Sequence, residues 1–484
     1  MAYNWFTQNP LKVFSDESVQ KIHTSVICLL EKVGVCIDSE EALILLREYG
    51  IRCDLKKMRA YPDEKSIQRA LKTVQKGYKL YSRKFNEQQM LNIDLTTTHT
   101  ISGGAALKLY SRGKYTDATK NDLVDMIVLH EKLDNINMLI NVVEPTDMKD
   151  ENIYPKIAAE LFCYSSKPLL LQVSGGIDLK KIIRMASLLV DGEDKLKKRP
   201  IFMTGINSEP PLKITKEGAE VLICAAKASI PVSLGAYLMA GATGPLDVVA
   251  SIIQRTATVL TGLVLTQAAQ PGSIYDFTCH SGSCDLKTGD VITMSPQVMQ
   301  IVAGSIQIGR YYGLITHSLA ATEANAPDAQ ASGERFFSLI ISVMAGASVI
   351  HHTTSCMAGM ELADFAQCVI DNEIAGYVLD FAKGISMDTL DEAVRVIKDV
   401  IEDPQYSALS FLGHPHTVKY CRKQTYKPKL FSIGMLSRWM AGERQSLYEK
   451  AEKKVGKLLA ERQEFIPQDV KQKLFKLALE ESSH

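Results

Sequence analysis

From residue 98 to residue 352 the apolar positions of the chain keep switching between two rhythms. Short buried runs at 100–103, 138–142, 168–173, 200–205, 231–235, 273–277, 314–317 and 348–351 read as strands. Between them, stretches around 121–133, 153–165, 177–190, 214–228, 245–268, 294–312 and 327–344 carry helical spacing. Pro168, Pro200 and Pro231 each open a strand, where a missing N–H costs least. Eight strand–helix repeats of this kind predict a closed TIM (β/α)8 barrel. The alternative, an open doubly wound sheet, needs a glycine-rich nucleotide loop after the first strand. The segment Ile101-Ser-Gly-Gly-Ala105 is too short to supply one.

The flanks are helical. Ser15 is placed to cap a helix carrying Val19, Ile22, Val26, Leu29, Leu30 and Val33. Ser39 caps a second that stops at Gly50, and Pro62 opens a third with Ile67, Ala70, Leu71 and Val74 on one face. After the last strand, residues 361–402 are again helical and Asp403-Pro404 breaks the pattern. Residues 411–417 form a loop, and 440–482 a charged amphipathic helix or pair. The expected organisation is a helical region 1–97 capping the barrel, a barrel core 98–360, and C-terminal helices 361–484 that complete it and supply oligomer contacts.

Candidate chemistry collects where the strands end, because a barrel of this kind places its site at the C-terminal strand tips. The fourth strand leads to Asn207, Ser208 and Glu209, and the fifth to Tyr237. The sixth carries Tyr275, Asp276 and Phe277, then Cys279 and His280. The seventh gives His317 and then Glu323, and the eighth ends in His351 and His352. Strand alternation sends either the aromatic pair or Asp276 inward, and the expectation is the aromatics. One tip histidine alone is an ordinary hydrogen-bonded residue; four on three successive tips point to a site. Glu209 and Glu323 read equally well as helix-capping charges and as site carboxylates. Cys279, His280 and Cys284 suggest a zinc cluster, but their spacing matches no compact zinc signature, and no tightly bound metal is expected. His414-Pro-His416 is read as a loop cap. Aromatics and imidazoles together suit a ligand with a quaternary ammonium for ring faces and a carboxylate for N–H donors, as in a betaine.

Composition narrows the partners. Lys plus Arg and Asp plus Glu both number 55, so no net field draws in nucleic acid or an anionic membrane. The N-terminus lacks the basic start and apolar run of a signal peptide, and no uninterrupted apolar run is long enough to span a bilayer. Ten scattered cysteines fit reduced thiols in a cytoplasm.

Five ordered segments carry a resemblance to a family. They are Asn207-Ser-Glu-Pro-Pro-Leu212, Gly241-Ala-Thr-Gly-Pro245, Pro327-Asp-Ala-Gln-Ala331 with Glu334, Asp371-Asn-Glu373 and His414-Pro-His-Thr417. In order and spacing, from Glu31-Lys-Val-Gly-Val35 to the C-terminal helix, the chain resembles the trimethylamine methyltransferase (MttB) superfamily, in its branch without pyrrolysine. The resemblance implies a barrel enzyme that moves a methyl group from a quaternary amine to Co(I) of a corrinoid (cobalamin) carried by a partner protein. The substrate is then glycine betaine, proline betaine, carnitine or γ-butyrobetaine, and the enzyme a homo-oligomer. On that reading Tyr237, Tyr275 and Phe277 face the ammonium, with Asn207 nearby. His351 and His352, then His317 and His280, hold the carboxylate. Glu209 and Glu323 attract the cation, with His317 also assigned to the catalytic set. A zinc-dependent methyltransferase or lyase and a non-catalytic betaine- or corrinoid-binding scaffold are the competing readings.

Overall fold

The computed structural model describes residues 4–83, 90–148, 153–387, 389–407, 410–422 and 424–480. Residues 84–89, 388 and 481–482, inside stretches expected to be helical, lie outside the described residues.

Seven parallel strands form one sheet. Their spatial order is His99–Thr100, Val349–His351, Thr316–Leu319, Tyr275–Thr278, Val232–Gly235, Phe202–Asn207 and Leu169–Gln172. The segment at 138–143 closes it: Met138 bridges Ile101 at one edge and Leu139 bridges Leu169 at the other. The Leu170 N–H donates to the Leu139 carbonyl at 2.8 Å and the Met138 N–H to the Thr100 carbonyl at 3.1 Å. The expected eight staves are therefore present, one of them held by bridges rather than a regular ladder. Each expected helix between them also forms, from Lys120–Glu131 to Ala329–Met344.

Two features of the flanks escaped the apolar pattern. The N-terminal region contains a small sheet, Val35–Ile37, Arg52–Asp54 and Arg59–Tyr61, which recruits Lys213–Ile214 from the loop after the fourth stave. Three-residue strands are too short for alternation to show. A second hairpin, Tyr78–Leu80 with Leu91–Ile93, plugs the barrel floor. Its Tyr78, Leu80 and Ile93 pack with the inward residues Ile101, Met138, Leu170, Met203, Ile274, Ile315 and Val349. Helix Val248–Ala269 is apolar enough to cross a membrane by composition, yet 72% of its most apolar window is buried. It packs under the N-terminal helices Asp16–Lys32, Glu40–Glu48 and Glu64–Thr73. At the other end of the chain, Leu447–Ala460 and Gln468–Leu479 return to the barrel's helical layer.

The floor holds one buried carboxyl. Asp276 Oδ2 accepts from the Tyr78 hydroxyl at 2.7 Å. Burial pushes the Asp276 carboxyl up to about 7, against the pull of that hydrogen bond. Its folded-state pKa is thus raised above the unfolded value, so ionising it costs stability as pH rises through neutrality. Tyr78→Phe removes the donor and raises that pKa further. The expected loss is about 1–3 kcal/mol, larger at pH 8 than at pH 6, measured by denaturant unfolding at both pH values.

Candidate active site

A cavity of about 350 Å³ opens at the C-terminal mouth of the barrel. Seven of the residues expected at the strand tips line it: Asn207, Ser208, Tyr237, His280, His317, His351 and His352. Asn207 is exposed at the rim, while His280, His317 and His351 are buried within. The sequence reading missed Gln172, Ser233 and Met360, which complete the polar and rim lining. Gln172 and Ser233 sit at strand positions that alternation alone sends inward, a signal present but unused. Tyr237 takes its place because Gly282 lies against it: a β-carbon there would come within 2.6 Å of the Tyr237 hydroxyl.

The imidazoles form a continuous cluster. Ring centroids are 4.8 Å apart for His317 and His351, 5.0 Å for His280 and His351, and 4.0 Å for His351 and His352. Burial, with repulsion from the neighbouring rings, holds His280, His317 and His352 well below the ordinary histidine range, and burial lowers His351 to about 4. All four are neutral at pH 7. His351 Nδ1 lies 3.0 Å from the Ser318 carbonyl. A carbonyl only accepts, so Nδ1 carries the proton and Nε2 keeps its lone pair. His317 has no hydrogen-bond partner on either ring nitrogen among the described residues, and neither do His280 Nδ1, the Tyr237 hydroxyl, Ser208 Oγ and Gln172 Oε1. These buried polar atoms are the cavity's donors and acceptors for a polar ligand. None of the described residues lining the cavity is Asp, Glu, Lys or Arg.

The loop after the last strand, which carries His352, is held under strain. His352, Ser355, Cys356, Ala358 and Met360 all have positive φ. Such a run persists only when its surroundings over-determine it. Fully buried Arg335 does much of this, donating to the carbonyls of Ala320, His352 and Ser355. Its partner Asp371, equally buried at 3.5 Å, accepts from the Ser355 N–H at 2.8 Å and from Gln367. His130 Nε2 meets Thr354 Oγ1 at 2.8 Å. Gly103 lets the loop pass, since a β-carbon there would strike the Thr354 carbonyl at 2.0 Å. Cys356 Sγ then sits 3.0 Å from His352 Nδ1, its thiol pushed up to about 11 by burial.

Several expectations need correction. Tyr275 and Phe277 do not face the cavity; Asp276 points inward instead. The Tyr275 hydroxyl donates to the Val259 carbonyl at 2.7 Å in helix Val248–Ala269, and Phe277 packs on Tyr312 and Gly309. The same alternation puts Cys279 in the core behind the sheet and His280 in the cavity. Among the described residues no group of three or more His, Cys, Asp or Glu is arranged to hold a metal. Glu209 is exposed at a rim loop and pairs with Lys213 at 2.8 Å. Glu323 is outside the lining and accepts from the Thr293 and Met294 backbone N–H groups at 2.5 and 2.8 Å. Its field still reaches Tyr237, adding to the burial that raises that phenol. His351 presents a lone pair, which disfavours the carboxylate contact expected of it. His414 caps helix Pro415–Tyr420 by accepting from the His416 N–H.

The model of the trimethylamine methyltransferase (MTTB) family matches residues 4–477. The trimethylamine methyltransferase MttB of Desulfitobacterium hafniense is 29% identical over 443 residues, covering 90% of this chain and 87% of that protein. A glycine betaine methyltransferase of the same species is 25% identical over 451 residues, covering 93% and 92%. The proline betaine:corrinoid methyltransferase of Eubacterium limosum is 25% identical over 434 residues, covering 87% of each. Among solved structures, the Methanosarcina barkeri monomethylamine methyltransferase superposes with a TM-score of 0.52 at 11% identity, covering 95% of this chain and 93% of that one. That likeness supports the barrel fold.

Two outcomes are expected of this geometry. The ring-proton resonances of His351 show no titration between pH 8 and pH 5.5 by NMR of histidine-labelled protein; a midpoint near the ordinary value of about 6.5 contradicts the buried neutral cluster. Arg335→Met leaves Asp371 buried and unpaired, at a cost of roughly 3–5 kcal/mol, read as a fall in unfolding free energy.

Proposed function

The chain belongs to the trimethylamine methyltransferase (MTTB) family, and from that premise we propose that it demethylates a betaine-type quaternary amine, passing the methyl group to a corrinoid held by a separate protein. The observation that carries this reading is the uncharged lining of the mouth. A bare cation buried there has no counter-charge and loses its hydration. A zwitterion of net charge zero brings its own. Two relatives named for betaine substrates support the same class.

Within the cavity the roles follow from hydrogen positions. The Tyr237 ring and the His351 Nε2 lone pair suit the trimethylammonium end. His317 and His280, with unpartnered nitrogens, suit the carboxylate as N–H donors. His352, whose Nδ1 faces the Cys356 thiol, orders the wall between them. A site open at its rim, with Asn207 exposed there, admits a reaction centre carried on another protein. Bound in that way, a corrinoid supplies a Co(I) nucleophile for the methyl carbon. The C–N bonding pair stays on nitrogen, so the amine leaves neutral and no proton is required. That no acidic side chain is among the described lining residues is therefore consistent with a quaternary substrate. The chain's task is to align the two reactants and exclude water. A lining without fixed anions also avoids holding a cation whose charge disappears in the transition state.

With a reduced corrinoid protein, the enzyme is expected to convert Co(I) absorbance to that of the methylated cobalt when glycine or proline betaine is added. Turnover of trimethylamine but of no betaine overturns the substrate assignment. His317→Ala is expected to weaken glycine betaine binding roughly 10–100-fold, the loss of a hydrogen bond to a charged group. Choline, which has no carboxylate, serves as the calorimetric control and is expected to change little.

A further inference from the structure

Helix Val248–Ala269 carries one charged residue among its 22, Arg255. That side chain turns away from solvent. It is 1% exposed, held between the helix and the outer face of the stave Tyr275–Thr278. Its Nη2 donates to the Thr278 carbonyl, and its guanidinium lies 5.7 Å from the centroid of the Phe277 ring. Nε and Nη1 have no hydrogen-bond partner among the described residues. Burial lowers the Arg255 pKa to about 10, so the group is still a cation at neutral pH.

A buried cation without a carboxylate is costly to keep. Fully buried Arg335 is paired with Asp371. Arg255 faces only the Cys279 thiol and the Tyr275 phenol, both pushed up by burial and neutral at pH 7. Its place in the fold shows where the charge acts. Thr278 lies two residues before His280, and Arg255 adds to burial and to the His351 and His317 rings in keeping His280 unprotonated. His317 is held low by burial and His351, without a contribution from Arg255. The cavity therefore has a positive side, behind His280. Glu323 also stands outside the lining, bonded to backbone N–H groups, and puts its field on Tyr237. The Tyr237 and His280 ring centroids are 6.1 Å apart. Two charges of opposite sign thus stand behind two neighbouring walls of one neutral cavity.

We propose that Arg255 is a positioning residue for the substrate, an unpaired guanidinium behind the wall that draws the carboxylate of the bound amine to His280 and turns its ammonium toward Tyr237. This rests on the betaine reading above. A carboxylate at His280 supplies the negative charge that the fold withholds from Arg255. The attraction crosses packed protein, where salt and water screen it weakly. The guanidinium touches neither the substrate nor the cobalt, so it governs which way the substrate lies and how tightly it is held. A ligand with an ammonium and no carboxylate gains nothing from it.

Calorimetry on the full-length enzyme, without a corrinoid protein, tests this. Arg255→Met removes the charge and keeps most of the volume. It is expected to weaken glycine betaine binding about tenfold, equivalent to about 1.4 kcal/mol, and to leave choline binding no weaker. Its unfolding midpoint is expected to stay or rise, because a buried unpaired charge has gone. Arg255→Lys, which retains the charge, is expected to recover most of the lost affinity. Unchanged glycine betaine affinity in Arg255→Met overturns the proposal and leaves the betaine reading standing. An equal weakening of choline marks a packing defect and overturns it too. A wild type that binds neither glycine betaine nor proline betaine overturns both. Should Arg255→Met fail to fold, the Nε–H resonance of Arg255 is followed by NMR in arginine-labelled wild type. A shift on adding glycine betaine but not choline supports the proposal; no shift, or the same shift with both, overturns it.

Discussion

Strand parity governs this molecule. Each stave can turn one of two sets of side chains into the barrel, and a slip of one residue exchanges them completely. In Tyr275–Thr278 the choice is set outside the barrel, where the Tyr275 hydroxyl finds the Val259 carbonyl and Phe277 fills a space beside Gly309 and Tyr312. That settles Asp276 inward, on Tyr78, and four residues on it brings His280 to the mouth while Cys279 stays behind the sheet. The neighbouring ladders transmit the same parity, Thr278 opposite His317 and Leu319 opposite His351. The histidine cluster is the joint result of several independent helix–sheet contacts.

Parity also marks the limit of what the sequence discloses. The staves and their helices are legible because buried strands and amphipathic helices leave distinct apolar rhythms. The tip histidines are legible because chain position alone carries them to the mouth. The direction of Tyr275 and Phe277 is not, since an aromatic ring satisfies either a binding wall or a packed interface, and only the facing helix decides between them. The protonation of the imidazoles is equally hidden. Nothing local to His351 announces that three other rings will exclude water from it, or that Ser318 will fix its tautomer.

The segments that carry the family resemblance largely hold the site rather than form it. Asn207 reaches the cavity, but Glu334 accepts from Thr322 and the Glu323 N–H, Asp371 braces Arg335 and Ser355, and Glu373 accepts from the Lys429 N–H. Acidic residues in such motifs invite a catalytic reading. Here they terminate backbone donors around strained loops, a role that demands a carboxylate at a fixed place as strictly as chemistry does. Glu334 and Asp371 are thus engaged by the scaffold, and none of the described residues lining the cavity carries a charged side chain.

Helix Val248–Ala269 is buried beneath the three N-terminal helices, all of which precede it in the chain. Domains assemble from the N-terminus while the ribosome is still adding residues. By the time this long greasy segment emerges, its cover already exists and can close over it before the last three staves have been translated.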